Sequence, residues 1–302
     1  MTATVAPVRP AGRADEPAPP ARPAARRRIS VGRLLGWIGI VLLLVIEIVP
    51  LLWLLLSSLK GPAEFSTKPM WALPDGLHWQ NYVDAWVRGN MDTYILNSAL
   101  ATFPAIALLI AVGVMAGFAL EVLKWRGQNG VLLGFLVGLM VPTQMILLPL
   151  FTMYFHAQLL NNPLALILTY TATGLPLTVF MMAGYYRSVP REMIEAAVVD
   201  GASIYRVFWS ITLPVLRNAI MTIAIVQFFF FWNDLLFALT FMGSNDSKTI
   251  QAGLLAFIGQ YGQTEWGPTF ASICISIVPT LLIYLVLNQK VMKGLTDGAV
   301  KG

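Results

Sequence analysis

The chain has 302 residues, 57% of them hydrophobic and 12% charged, against about 25% charged in a typical soluble domain. This excludes an ordinary globule bathed in water and makes lipid the expected solvent for most of the surface. One cysteine, Cys274, rules out an internal disulfide, and no Cys/His cluster has the spacing of a metal site. The net charge of +5 would fit a nucleic-acid partner if the basic residues formed a patch. They sit instead at the ends of apolar runs, which is a membrane pattern.

In chain order, residues 1–29 are rich in Pro, Ala and Arg and nearly free of large apolar side chains. They cannot bury enough surface to offset chain entropy and are expected to form a disordered basic tail. The apolar run 34–59 is longer than the ~7–15 residues of a signal-peptide core and lacks a small-residue cleavage site, so it reads as a retained first span. Five more stretches reach the ~20 mostly apolar residues of a span, at 95–120, 131–155, 164–186, 215–242 and 269–289. Runs such as Leu132–Met140 and Ile220–Phe231 are apolar nearly all round, unlike the one-sided helices of a large soluble protein. The expected fold is an all-α integral membrane protein with a six-helix domain over residues 30–302.

Orientation follows from Lys and Arg. With the N-terminus inside, 16 of the 20 basic residues fall on inside segments, namely the tail, 121–130, 187–217 and the C-terminal end. Lys60, Lys68, Arg88 and Lys248 are left outside, a split that follows the positive-inside rule. Both termini are therefore expected in the cytoplasm. The outside loop 60–93 holds Pro62, Pro69, Trp71 and Pro74, then a short amphipathic helix candidate, His78–Val87, suited to the membrane surface. The outside loop 243–268 holds six glycines and prolines with Tyr261 and Trp266. Aromatics at this depth are expected belt residues, and a contact surface for an external partner is the sharper reading.

The inside segment 187–214, RSVPREMIEAAVVDGASIYRVFWSITLP, is too patterned for a linker. Ser188 can cap a helix with Pro190 in its first turn. Met193, Ile194, Ala196 and Ala197 recur at helical spacing, and Gly201 ends the helix, because glycine enters the left-handed region without a Cβ penalty. Ser203 can cap a second short helix through Trp209, before Leu213-Pro214 leads into the fifth span. The result is two short helices at a sharp angle. Ala196 and Ala197 offer a shallow face for close approach by another protein, and Arg191 and Glu195 can pair with its charges. The plainer alternative is an amphipathic loop lying on the membrane.

Glu195-Ala196-Ala197, three residues, Gly201, nine residues, then Ile211-Thr212-Leu213-Pro214 resembles the EAA signature of ABC importer permeases at every defined position. Asn97-Ser98, Pro142, Pro149, Trp232-Asn233-Asp234 and the ending Gly294-Leu295-Thr296 through Gly298-Ala299-Val300-Lys301-Gly302 resemble the carbohydrate branch, in particular its MalG-type subunit. Asp234 departs from the Glu that many relatives carry. The resemblance covers about residues 30–302 and implies the fold of type I importer permeases. It implies that 187–214 is the coupling helix docked into a cleft of an ATPase, through Glu195, Ala196, Ala197, Asp200, Gly201, Ile211, Leu213 and Pro214. It also implies that the tail at Gly298, Lys301 and Gly302 touches the ATPase. The implied partners are a second permease in a heterodimer, a dimer of ABC ATPases that bind ATP and Mg, an extracytoplasmic solute-binding protein and a sugar. The implied location is the bacterial cytoplasmic membrane.

Glu47 and Asp234 lie within spans, where a central charge costs roughly 2.5–3.5 kcal/mol on insertion scales, so each is expected to face protein or water. A pathway lining is one role and a helix–helix contact the other. Asn97, Thr143, Gln144, Gln227 and Asn233 can bond sugar hydroxyls or join helices, and Phe228, Phe231 and Trp232 can stack on sugar rings or simply pack. Pro142, Pro149 and Pro176 are candidate helix breaks near the midplane. No phosphate-binding loop, H-E-x-x-H, nucleophile elbow or Cys/His dyad occurs, so the chain is expected to be no enzyme and to draw its energy from a partner ATPase. The competing readings are a permease for a non-sugar solute and an ion-coupled carrier using Glu47 and Asp234, which leaves 187–214 unexplained.

Overall fold

The computed structural model describes residues 31–259 and 264–299. The tail 1–29, Tyr261, Lys301 and Gly302 lie outside the described residues. The chain divides into two units, Met1–Val49 and Pro50–Gly302.

Fourteen α-helices follow one another among the described residues: α1 Val31–Ser57, α2 Glu64–Thr67, α3 Gln80–Val87, α4 Met91–Glu121, α5 Gln128–Leu139, α6 Thr143–His156, α7 Pro163–Arg187, α8 Arg191–Val199, α9 Ile204–Arg206, α10 Leu213–Val215, α11 Arg217–Trp232, α12 Leu236–Phe241, α13 Ile250–Gly253 and α14 Trp266–Ala299. A π-helical stretch, Val207–Thr212, joins α9 to α10. The β-structure among the described residues is an isolated bridge, Ile258 to Thr264. Four helices are long and apolar enough to cross a membrane: Leu35–Ser57 within α1, α4, α7, and Trp266–Leu285 within α14. The total is six if each of two bent pairs is one span. These are α5 with α6, bent by 94°, and Ile204–Val215 with α11, bent by 71°.

The breaks have local causes. Pro142 sits at the N-cap of α6 with φ −63° and ψ 126°. Its ring pushes the residue before it away from helical geometry, so α5 stops short of it. Pro149 and Pro176 remain inside α6 and α7. Only Pro142 of the three expected breakers therefore breaks a helix. In the π stretch, the Leu213 N–H reaches back to the Phe208 carbonyl, one residue further than an α-turn. This widening gives room before Pro214, whose ring would clash with the carbonyl four residues back in a regular α-turn.

In the larger unit, α4 and α7 lie closest. A Cβ on Gly117 would stand 2.7 Å from the Cβ of Met182, and one on Gly113 would collide with Thr178. Small residues four apart let helix backbones meet in a membrane. Around this pair pack Leu109, Tyr154, Tyr170, Phe231 and Phe241. A second cluster joins Met91, Tyr94, Phe228, Trp232 and Ile250.

The segment between α1 and α4 is pinned by polar groups. Lys60 Nζ and Trp53 Nε1 both donate to the Met70 carbonyl, at 2.8 and 2.9 Å. Asn81 Nδ2 donates to the Ser58 and Lys60 carbonyls. Glu64 accepts from the backbone N–H of Gly61 and Asp75, and the Gly61 bond above all holds its carboxyl below the usual range. α3 exposes Trp79 beside its start and Val83, Trp86 and Val87 along one side, while Asn81 and Ala85 are buried. Arg88 reaches Glu265 with two bonds, at 3.1 and 2.9 Å.

Candidate functional site

Two places carry the residues singled out above: the segment after α7 and a cavity in the helical core.

α7 ends at Arg187, and its last carbonyls bond to Ser188, whose hydroxyl donates to the Tyr185 carbonyl. Ser188 therefore closes α7 rather than capping α8. Pro190 holds the N-cap position of α8 and has no side-chain group to cap it. Arg187 Nε donates to Glu121 Oε1 at 2.9 Å and Nη2 donates to the same atom, tying the ends of α7 and α4 together.

α8 is amphipathic. Met193, Ile194 and Ala197 turn inward against a core of Val114, Phe118, Met182, Tyr186, Val207, Phe208, Leu216 and Ile223. Phe118 meets Tyr186 and Phe208 edge-on at 5.7 and 5.1 Å. Glu195, Ala196, Val198, Val199 and Asp200 are exposed, Val199 at 85%. The two alanines thus part company: Ala196 faces out and Ala197 packs in. Ile211 and Leu213 also pack inward and Pro214 is exposed. Val198 and Val199 are apolar tip residues that the sequence did not single out. Their exposure depends on which side of α8 meets the core, which a nine-residue helix does not declare.

The end of α8 is a closed turn. Gly201 has φ +80°. Its N–H bonds to the Val198 carbonyl at 3.0 Å, and the Ala202 N–H bonds to the Ala197 carbonyl at 2.9 Å. These are the paired bonds of a Schellman motif. Among the described residues nothing lies within 4 Å of where a Cβ on Gly201 would be, so conformation and not crowding restricts this position. Ser203 Oγ then accepts from the Arg206 N–H at 3.4 Å and starts α9.

The cavity, of about 410 Å³, is walled by Leu139, Thr143, Gln144, Tyr170, Thr173, Gly174, Leu177, Gln227, Phe230, Phe231, Asp234, Leu236 and Phe237. That volume lies in the range of small-molecule sites. Asp234 Oδ2 accepts from the Tyr170 hydroxyl at 2.9 Å and the Ala238 N–H at 3.1 Å. Its Oδ1 accepts from the Phe237 N–H at 3.4 Å. Asp234 therefore caps α12 after α11 stops at Trp232. Tyr170 is 2% exposed and stacks on Phe231 with ring centres 4.8 Å apart. Gln227, 1% exposed, donates to the Gly174 carbonyl and to Thr178 Oγ1, which joins α11 to α7.

Of the six expected lining residues, Gln144, Gln227 and Asp234 come together, and Thr143 joins them. Asn97 does not: its amide donates to the Asp246 and Lys248 carbonyls and anchors that loop. Asn233 bonds to the Phe229 carbonyl and to Gln251 Nε2 and is absent from the wall. Glu47 lies exposed on α1 in the smaller unit. Phe228 and Trp232 are buried in a separate cluster. Tyr170 was missed, although a phenol inside a span calls for a hydrogen-bond partner.

Residues 109–289 match the family described as binding-protein-dependent transport system inner membrane component. The diacetylchitobiose uptake system permease protein NgcG of Streptomyces coelicolor is 33% identical over 85% of this chain and 85% of its own length. The melibiose/raffinose/stachyose import permease protein MelC of Bacillus subtilis is 30% identical over 84% of this chain and 91% of its own length. The fold is shared with a chain in the crystal structure of a bacterial ABC transporter involved in the import of the acidic polysaccharide alginate. The TM-score there is 0.75 at 18% identity, covering 89% of this chain and 99% of that one.

Proposed function

Because the chain belongs to the family of binding-protein-dependent transport system inner membrane components, we propose that it is one of two permease subunits of an ATP-driven sugar importer, handing ATPase motion to a half-pathway. Its relatives' names, for diacetylchitobiose and for melibiose, raffinose and stachyose, support the sugar. The surrounding assembly is a second permease in a heterodimer, a dimer of ABC ATPases that bind ATP and Mg, and an extracytoplasmic solute-binding protein. The termini and α8 face the cytoplasm.

The observation that carries this reading is the build of α8. One side is sunk in the core between α4, α7 and the π stretch, and the other presents Glu195, Ala196, Val198 and Val199. A helix rooted on one side and bare at the tip can carry force from a docked partner into the bundle. Nucleotide closes the ATPase pair, α8 moves with its cleft, and the permeases exchange inward-facing for outward-facing states. Each ligand acts only through its different affinity for the two states. The cavity at Gln144, Tyr170 and Asp234 is this subunit's share of the pathway. α14 has 34 residues, well beyond the ~20 of a span, which supports a C-terminal end that stands clear of the membrane, with Gly298 in its last turn.

The test is binding-protein-stimulated ATPase activity of the assembled transporter carrying Gly201→Val. The expected result is normal assembly with stimulation abolished. Full stimulation would remove α8 from the coupling path.

A further inference from the structure

Asp234 is the one charged group among the described residues of the cavity wall, and no Lys, Arg or His stands there with it. The polar atoms aimed at its carboxylate are all donors: the Tyr170 hydroxyl and the N–H groups of Phe237 and Ala238. Such a set favours an ionised carboxylate, since the two backbone N–H groups can only donate and a protonated carboxyl would find just the Tyr170 oxygen among these groups as an acceptor. Oδ2 holds two of these bonds. Oδ1 holds one at 3.4 Å, at the weak end of the useful range, and keeps lone pairs for a solute. Gln144 adds an exposed amide that both donates and accepts, and Phe230 adds an exposed ring. Acceptor, amide and ring suit a hydroxyl-bearing ring compound. An anionic solute would meet a second negative charge with no cation among the described residues of this wall, and such repulsion is what discriminates between otherwise similar ligands.

Resting on the pathway role proposed above, we infer that Asp234 makes this cavity select against anionic solutes and admit neutral or cationic saccharides. The selection belongs to the permease itself and acts after any choice made by the binding protein.

The test needs no transported solute. In the assembled transporter in lipid nanodiscs, Cys274→Ser removes the native thiol of this chain and Thr173→Cys places one in the cavity wall. Its reaction rates with a cationic (trimethylammonium-ethyl) and an anionic (sulfonatoethyl) methanethiosulfonate are compared with those of a free thiol, by mass spectrometry of this chain. The expected cation preference is about tenfold above the free-thiol ratio. Asp234→Asn, which keeps an acceptor for the α12 cap, removes it, and Asp234→Glu retains it. A ratio unmoved by Asp234→Asn overturns the charge selection and leaves the pathway role standing. Failure of both reagents to react, with and without nucleotide, overturns the pathway role and the selection together.

Discussion

α8 and α11 both stop inside the larger unit, and they stop by different means. α8 ends in a turn whose bonds all fall between Ala196 and Ala202, with Gly201 supplying the left-handed residue. α11 ends at Trp232, and the chain restarts in α12 because Asp234 caps it while accepting from Tyr170, 64 positions away. The first stop is written in consecutive residues. The second is held across the bundle, so its strength depends on α7 being in place. A local stop can project from the core and still keep its shape, as a docking element must. A non-local stop makes the break a joint between helices, suited to the wall of a cavity.

The sharpest way to break this contrast is at Gly201. Gly201→Val is expected to abolish stimulated ATPase activity. Gly201→Asn, which tolerates positive φ, is expected to keep the turn. Loss of stimulation in the Asn variant with assembly intact would mean that a partner sits against this position, since none of the described residues does. The next largest effect is expected at the joint. Asp234→Ala leaves the buried Tyr170 hydroxyl without a partner, at a cost of about 1–3 kcal/mol, whereas Tyr170→Phe removes one bond, at about 0.5–1.5 kcal/mol. Thermal denaturation in nanodiscs, with the double variant closing the cycle, reads the coupling. Additive losses would mean that the two helices do not share a joint.

Much of the architecture was legible because it rests on local signals. The apolar runs, the glycine at the end of α8 and the amphipathic stretch that became α3 all follow from neighbouring residues. What was not legible depends on distant partners. Pro142 breaks a helix and Pro149 and Pro176 do not, although each lacks the same N–H. Asn97 and Gln227 look alike as polar residues in spans. One turns to a loop and the other ties α11 to α7, because the facing groups differ. Ser188, expected to cap α8, instead closes α7 on the Tyr185 carbonyl.

Smaller effects refine the comparison. Arg187→Ala breaks the tie to Glu121 and is expected to cost at most about 1 kcal/mol, since an exposed ion pair is largely screened. A larger loss, paired with loss of coupling, would show that the root of α8 depends on it. Glu64 gives the smallest expected effect. Its carboxyl is held below the usual range in the folded chain, so its contribution is present above the unfolded value and fades as pH falls through the folded one. Glu64→Gln is therefore expected to lower thermal stability slightly at neutral pH and to flatten its loss on the acid side. An unaltered acid profile would assign that loss elsewhere.

Gly113 and Gly117 let α4 seat closely against α7, where the side chains of Thr178 and Met182 fill the space that a Cβ on either glycine would take. Two rods seated this way resist sliding past one another, so they behave as a single stiff spar. α8 hangs from the end of that spar at Arg187. Torque applied to α8 would then pass into that spar, while α11, which Gln227 ties to α7, is set off by the bend near Leu216 and the gap after Trp232.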